Sequence, residues 1–212
     1  MNIADIRQEY KLAELNESQA PANPVTFFEK WFEHALHGKV NEPNAMCLST
    51  VGDGRQPHSR IVLLKGISKG GFEFYTNYHS HKGQALVVNP HCALNFFWPE
   101  LERQVRITGK VQKLTDAESD AYFASRPRAS QIGAWVSQQS EVIASRKELD
   151  EQMAQTEKNF EGKEVMRPHY WGGFRVMPSE IEFWQGRPNR LHDRLCYTKT
   201  SEDAWKLERL SP

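Results

Sequence analysis

Apolar positions recur at spacings of three and four in only a few stretches of this chain; elsewhere they come in short alternating runs parted by turns. Phe28, Trp31, Phe32 and Ala35 follow Asn23, a residue that caps helices, and Pro24, which suits a first helical position. That spacing predicts a helix whose apolar stripe packs on the main body. From Ala45 to Leu114 the pattern becomes AMCLSTV, a GDGRQP turn, HSRIVLLK, a KGG turn, FEFYTN, CALNFFW and RQVRITGKVQKL, with one short helix at His81 to Val88. Short strands at this spacing predict an antiparallel barrel, not a doubly wound sheet. Gln104, set between apolar neighbours, is expected to hydrogen-bond across that sheet.

The flanks are more polar. Residues 1–22 carry a short helical pattern around Ile6 to Leu15 and then the loop SQAPANP, which predicts a flexible arm or lid outside the core. Thr115 and Glu118 have the spacing of a capping box and open a helix that runs to Pro127. Ser137 to Phe160 reads as a polar helix with a second capping box at Ser145 and Glu148, EGKEVMRPHYWGG as a loop, and WKLERL as a closing strand. No repeat or second domain is evident, so residues 23–212 read as one domain.

Ile181 to Tyr197 reads as a hairpin: strand to Trp184, turn over Gly186 to Asn189, strand again from Arg190. Period-two alternation puts Arg190, His192, Arg194 and Cys196 on one face, and Leu191, Asp193 and Leu195 on the other. Asp193 then cannot neutralise the cations, and their face either stays wet, as a charge-guarded strand edge, or holds an anion. With Phe183 and Trp184 across the turn, a flat, anionic heterocycle suits it. Other anion cues lie upstream. Thr76, Ser80 and Lys82 gather at a helix start. Tyr122 and Arg126, four apart, share a helix face with Ser130 just beyond, a donor set fitting a phosphate monoester. Arg60 and Lys65 fall on opposite faces of their strand, where ordinary strand-end charges account for them equally well.

Composition narrows the classes. Lys plus Arg and Asp plus Glu both number 27, so no global basic field points to nucleic acid or a membrane, and an anion site must be local. A chain of 212 residues can bury roughly 70% of its unfolded surface without disulfide or metal support. Cys47, Cys92 and Cys196 lack the spacing of a disulfide framework or zinc site, and no metal is expected. The charged N-terminus has no apolar leader core and no apolar run approaches the roughly 18 residues of a span, so a soluble cytoplasmic protein is expected. Neither GxGxxG nor a P-loop pattern occurs.

EFWQ, four residues, then RLHDR (Glu182 to Arg194) resembles the signature of the pyridoxine 5'-phosphate oxidase family, also called pyridoxamine 5'-phosphate oxidase; IRQEY, RIVLLK, FYTN, ERQV and YFASRPRASQIGAWVS extend the likeness along the chain. The resemblance implies an FMN-binding split barrel, mainly β with flanking helices around an antiparallel six-stranded-type barrel, and a homodimer with two sites at its interface. It implies oxidation of pyridoxine 5'-phosphate and pyridoxamine 5'-phosphate to pyridoxal 5'-phosphate, electrons passing to FMN and then to O2 to give hydrogen peroxide. FMN would be held by Arg60, Ile61, Val62, Leu63, Leu64, Lys65, Tyr75, Thr76, His81, Lys82, Gln104, Gln139, Ser140, Trp184 and Arg194. Substrate would meet Lys65, Tyr122, Arg126, Ser130, Arg190, Leu191 and His192, with Arg7, Gln8, Glu9 and Tyr10 folding over; Arg190 and His192 would be catalytic. His81 departs from the arginine usual there. Its pH-dependent charge leads to the expectation that FMN is held less tightly as pH rises.

Overall fold

Alternation decides the sheet. In β1 (Ala45–Val51), Met46, Leu48 and Thr50 point inward and are buried, while Ala45, Cys47 and Ser49 face outward. The computed structural model describes residues 2–5, 9–202 and 204–212, and among them nine strands form one antiparallel sheet. The others are β2 (Pro57–Leu63), β3 (Gly66–Ser68), β4 (Gly71–Asn77), β5 (His91–Trp98), β6 (Arg103–Lys113), β7 (Trp171–Gln185), β8 (Asp193–Lys199) and β9 (Trp205–Arg209). Six run in the order β2-β1-β5-β6-β7-β4; β3 adds to β4, and β8 pairs with β7 and β9. β2 and β4 approach each other without pairing, which leaves the barrel split along that seam.

Helix α1 (Pro24–His37) starts as its sequence predicts, with the Asn23 side chain accepting from the Val25 N–H. It lays Phe28 between Phe72 and Phe96, with ring centroids 5.0 and 4.9 Å away, and Phe27 on Phe183 at 4.4 Å. Burying each such ring contributes about 1.5–3 kcal/mol, which fixes the helix to the sheet.

The remaining helices are α2 (His81–Val88), α3 (Asp116–Ser125), α4 (Arg128–Val136) and α5 (Arg146–Asn159). The reciprocal capping box at Thr115 and Glu118 is present. Arg175, itself buried, joins Glu118 at 2.8 Å and Glu73 at 2.7 Å, so the start of α3 is tied to β4 and β7. That guanidinium first, then the Thr115 backbone and hydroxyl, holds Glu118 well below the usual carboxylate range. Phe123, Ile132, Ala134, Val136, Val165 and Trp171 form a second apolar cluster that seats α3 and α4.

Several expectations fail here. Helix α4 lies where the sequence suggested only a segment beyond a proline; Pro127 is its cap residue, and Ile132, Ala134 and Val136 are buried. Residues 137–145 are not helical, and α5 begins only at Arg146, where the Ser145 hydroxyl accepts from Glu148 N–H. β2 ends at Leu63, so Arg60 and Lys65 are not on opposite faces of one strand. Of the helical pattern around Ile6 to Leu15, residues 9–15 are irregular and the rest lies outside the described residues. Nor is the arm wholly outside the core, because Leu15 is 1% exposed. The three cysteines are free, as expected. Among the described residues no helix is long and apolar enough to cross a membrane, and no cluster of His, Cys, Asp or Glu could hold a metal.

Candidate active site

The seam between β2 and β4 opens into a cleft of about 340 Å³. β2 and the residues after it contribute Arg60, Ile61, Val62, Leu63 and Lys65; β4 contributes Tyr75 and Thr76; α2 contributes Lys82. Tyr122 and Arg126 reach in from α3 and its end, and Gln139 from the loop after α4. Most residues grouped by the resemblance for FMN, and three of those for the substrate phosphate, therefore meet in one place.

The wall is aromatic. Tyr75 and Tyr122 stack at 3.8 Å between centroids, and Trp171, which the sequence reading passed over as loop, stacks on Tyr75 at 5.6 Å. A Cβ at Gly172 would overlap the Tyr78 hydroxyl, and one at Gly173 would lie 2.8 Å from the Tyr75 ring, so the Gly-Gly after Trp171 lets β7 carry this stack. A tryptophan followed by two glycines was the available signal.

The charge is one-sided. Arg60, Lys65, Lys82 and Arg126 line the cleft, no carboxylate does, and none of the four has an ion-pair partner among the described residues. Arg60 donates to Thr50 Oγ1 at 2.8 Å and to the Leu48 carbonyl at 3.2 Å. Lys82 Nζ donates to Gln139 Oε1 at 2.7 Å, and Thr76 Oγ1 donates to the same oxygen at 3.0 Å. Burial, then the nearby Arg60 charge, pushes Lys82 down to about 8; burial likewise lowers Arg60 and Arg126. Burial pushes Tyr75 up to about 12 and also raises Tyr122, so both phenols remain donors. Arg126 lies over the Trp171 ring at 4.5 Å, and its Nη1 is buried with no hydrogen-bond partner. An unsatisfied buried guanidinium nitrogen beside three further cations is the donor set a phosphate completes.

Other predicted residues lie nearby or elsewhere. Leu64 is buried in the core. His81 N–H donates to Ser140 Oγ at 3.2 Å, with Ser140 held at φ 79°, and the His81 ring packs edge-on to His58 at 4.4 Å, outside the cleft. Ser130 is exposed in the first turn of α4. Gln104 faces Trp184 across β6 and β7, and among the described residues its side chain makes no hydrogen bond across the sheet.

The hairpin is a separate site on this chain. Its strands pair from Glu180 to Gln185 with Asp193 to Thr198, but Pro188–Arg190 is a 3-10 turn with Asn189 and Arg190 at φ 58° and 64°. The predicted alternation therefore begins only at Asp193. Arg194 pairs with buried Glu182 through two bonds of 2.8 and 3.0 Å, so the face is not left without a counter-ion. Phe183 is fully buried against α1 and cannot stack on a ligand. Trp184 and His192 do meet, at 4.6 Å, and Tyr10 packs edge-on to both. Glu9 pairs with Lys11; Arg7 and Gln8 lie outside the described residues. Leu191 and Arg190 are exposed. Trp171 and Trp184 are near opposite ends of β7, and no residue of the hairpin is among those lining the cleft, so the two are separate sites on one chain.

A split antiparallel barrel whose seam holds a cation-lined, aromatic-walled cleft defines a class: proteins that bind flat, phosphorylated heterocycles. More narrowly, the chain belongs to the pyridoxamine 5'-phosphate oxidase family, whose model matches residues 32–160, while the model described as the pyridoxine 5'-phosphate oxidase C-terminal dimerisation region matches residues 171–212. A pyridoxine/pyridoxamine 5'-phosphate oxidase of Trichormus variabilis is 53% identical over 99% of this chain and 98% of its own length. One from Cupriavidus pinatubonensis is 50% identical over 99% of each. Among solved structures, PhzG from Burkholderia lata, in complex with tetrahydrophenazine-1-carboxylic acid, superposes with a TM-score of 0.89 at 27% identity, covering 97% of this chain and all of that one. An FMN-binding protein related to pyridoxamine 5'-phosphate oxidase from Nostoc punctiforme, at 16% identity and a TM-score of 0.69 over 87% of this chain and 97% of its own, shares the fold.

Proposed function

We propose that this protein is an FMN-dependent oxidase that converts pyridoxine 5'-phosphate and pyridoxamine 5'-phosphate to pyridoxal 5'-phosphate, with O2 as acceptor and hydrogen peroxide as product. One observation carries the reading: four cations without an acid, one with an orphaned nitrogen, beside a stacked aromatic wall. Two phosphates, one from cofactor and one from substrate, account for that charge better than one.

In this reading Arg60, Thr76, Lys82 and Gln139 hold FMN, with Ser140 and His81 at the mouth, and Lys65, Tyr122 and Arg126 hold the substrate phosphate. When bound, FMN supplies the two-electron redox chemistry. The alcohol loses two electrons and two protons to become the aldehyde; the amine does so with addition of water and release of ammonia; O2 takes up both electrons and both protons. Holding the phosphate fixes one end of the substrate, so that position supplies much of the rate. The hairpin's Arg190 and His192 reach the substrate from a second copy of the chain, a homodimer supported by the match to a dimerisation region and by the separation of the two sites along β7. Arg190 holds and polarises the ring, because a guanidinium does not give up its proton. His192 meets a polar group of the same ring. The cytoplasm suits this activity and three free thiols.

The test is anaerobic. Reconstituted with FMN and given pyridoxine 5'-phosphate, the protein bleaches the flavin absorption, and air restores it with one peroxide per turnover. Flavin that stays oxidised with both phosphorylated substrates refutes the assignment.

A further inference from the structure

Arg187 belongs to no group of site residues named above, yet it is the centre of the hairpin's hydrogen bonding. Its backbone N–H donates to His192 Nδ1 at 3.1 Å. A neutral imidazole carries one N–H and one lone pair, so a donor aimed at Nδ1 requires the lone pair there and the proton on Nε2. Trp184, at 4.6 Å, and Tyr10, at 5.8 Å, pack on the ring and limit its rotation. Nε2 has no hydrogen-bond partner among the described residues.

The Arg187 side chain fixes the backbone that makes this bond. It pairs with Glu14 at 2.8 Å, donates to the Ala13 carbonyl at 3.3 Å and lies 3.5 Å from Asp193 Oδ2. Asp193 in turn accepts from the Leu15 N–H at 3.1 Å and pairs with Arg209 at 2.8 Å. The N-terminal segment, the turn and β8 are thereby knotted at one guanidinium.

We propose that Arg187 is a positioning residue that locks His192 as the Nε2–H tautomer, so that His192 meets the substrate as a hydrogen-bond donor and not as a base. This rests on the reading of His192 as a substrate contact. The ligand must then present an acceptor to Nε2, and with the Arg190 guanidinium close by, a ring hydroxyl bound as its oxyanion is the chemical class that fits. The charged groups around the ring agree: Arg190 is near, Arg187 is neutralised by Glu14 and Asp193, and Tyr10 is a phenol. Burial first, and then Arg190, moves His192 below its ordinary value, which favours the neutral ring at neutral pH.

The holoenzyme labelled with ¹⁵N-histidine tests this without turnover. Long-range proton–nitrogen correlation at pH 7.5, with His192 assigned by its loss in His192→Gln, shows the proton on Nε2; a proton on Nδ1 or a charged ring overturns the proposal. Arg187→Met gives a mixture of tautomers and raises KM for pyridoxine 5'-phosphate about tenfold with a smaller change in kcat, the size of one lost hydrogen bond. Glu14→Gln, made at an exposed partner, shifts the tautomers the same way to a smaller extent, and Arg187→Lys restores part of the lock. A merely structural role for Arg187 leaves the tautomer untouched and refutes the assignment. His192→Gln, which places an amide N–H near the Nε2 position, retains more activity than His192→Leu; equal losses mark a base and overturn the donor role. A His192 signal that reports Nε2–H but does not move on adding pyridoxine 5'-phosphate overturns its role toward substrate, whereas failure of the flavin to bleach counts against the oxidase reading and not the lock.

Discussion

The cleft and the hairpin are both rich in arginine and lysine, but they treat charge in opposite ways. In and around the hairpin, Arg194 lies against Glu182, Arg187 against Glu14, and Arg209 of the neighbouring β9 against Glu17 and Asp193. In the cleft, Arg60, Lys65, Lys82 and Arg126 have no acidic partner among the described residues. Paired cations hold the chain together, whereas Arg60, Lys82 and Arg126, unpaired and at least partly buried, keep a cost in the folded state that an incoming anion relieves; Lys65 is exposed. Arg190 is the hairpin's exception, exposed and without an ion pair among the described residues, and it is also the hairpin arginine proposed to meet substrate.

The sharpest way to break this contrast is to remove one cation from each region. Arg194→Met leaves the Glu182 carboxylate, 2% exposed, with Arg106 at 3.2 Å as its one remaining cation among the described residues, and destabilises the FMN-free protein by about 3 kcal/mol in urea unfolding. A loss under about 1 kcal/mol would mean the pair is no part of the scaffold. Arg126→Met works in the other direction. It removes an unsatisfied buried charge, so the FMN-free protein gains about 0.5–2 kcal/mol, while KM for pyridoxine 5'-phosphate rises about 10- to 150-fold from one lost charge-assisted bond. Steady-state kinetics and unfolding of the same variant must show these opposite signs.

A smaller effect comes from Lys82, which burial and then Arg60 push down to about 8. A lysine depressed in the folded state contributes stability that is full above its ordinary value near 10.5 and is lost as pH falls through about 8. The FMN-free protein therefore becomes more stable as pH rises over that window. Bound phosphate needs the ammonium form, so FMN affinity, read by quenching of flavin fluorescence, falls over the same window by at most about tenfold per pH unit. Lys82→Met binds FMN more weakly at neutral pH and loses this part of the pH dependence.

What the sequence made legible follows the same division. Local signals were read correctly where one residue determines the geometry: Asn23 with Pro24 starts α1, Thr115 with Glu118 starts α3, and period two marks β1, β4, β5 and β6. Tyr122 and Arg126 were grouped by helical spacing, and the helix put both in the cleft; Ser130 was added by proximity in sequence and lies exposed beyond it. Helix α4 was hidden because a proline cap with Arg and Ser in the first turn has the composition of a loop. Arg190 left the alternating face because two consecutive left-handed residues break the period before β8 begins. Glu182 was missed as Arg194's partner for a different reason. The two sit diagonally across the β7–β8 ladder on the same face, a relation that becomes visible only once the register is known. Trp171 is a longer-range case, since nothing local reveals that α3 will lay Tyr122 close beside it.

The smallest predicted effect tests where the cleft ends. His81 is exposed at the start of α2, with its ring turned onto His58 and only its backbone N–H engaged with Ser140. An arginine there places a longer, permanently charged group at the mouth, where solvent screens it, and an exposed charge of this kind contributes about 0.2–1 kcal/mol. His81→Arg therefore tightens FMN binding by no more than about fivefold, measured by fluorescence titration. A gain beyond about tenfold would mean that this position touches the phosphate directly, and the set of unpaired cations that defines the cleft would then extend onto α2 beyond Lys82.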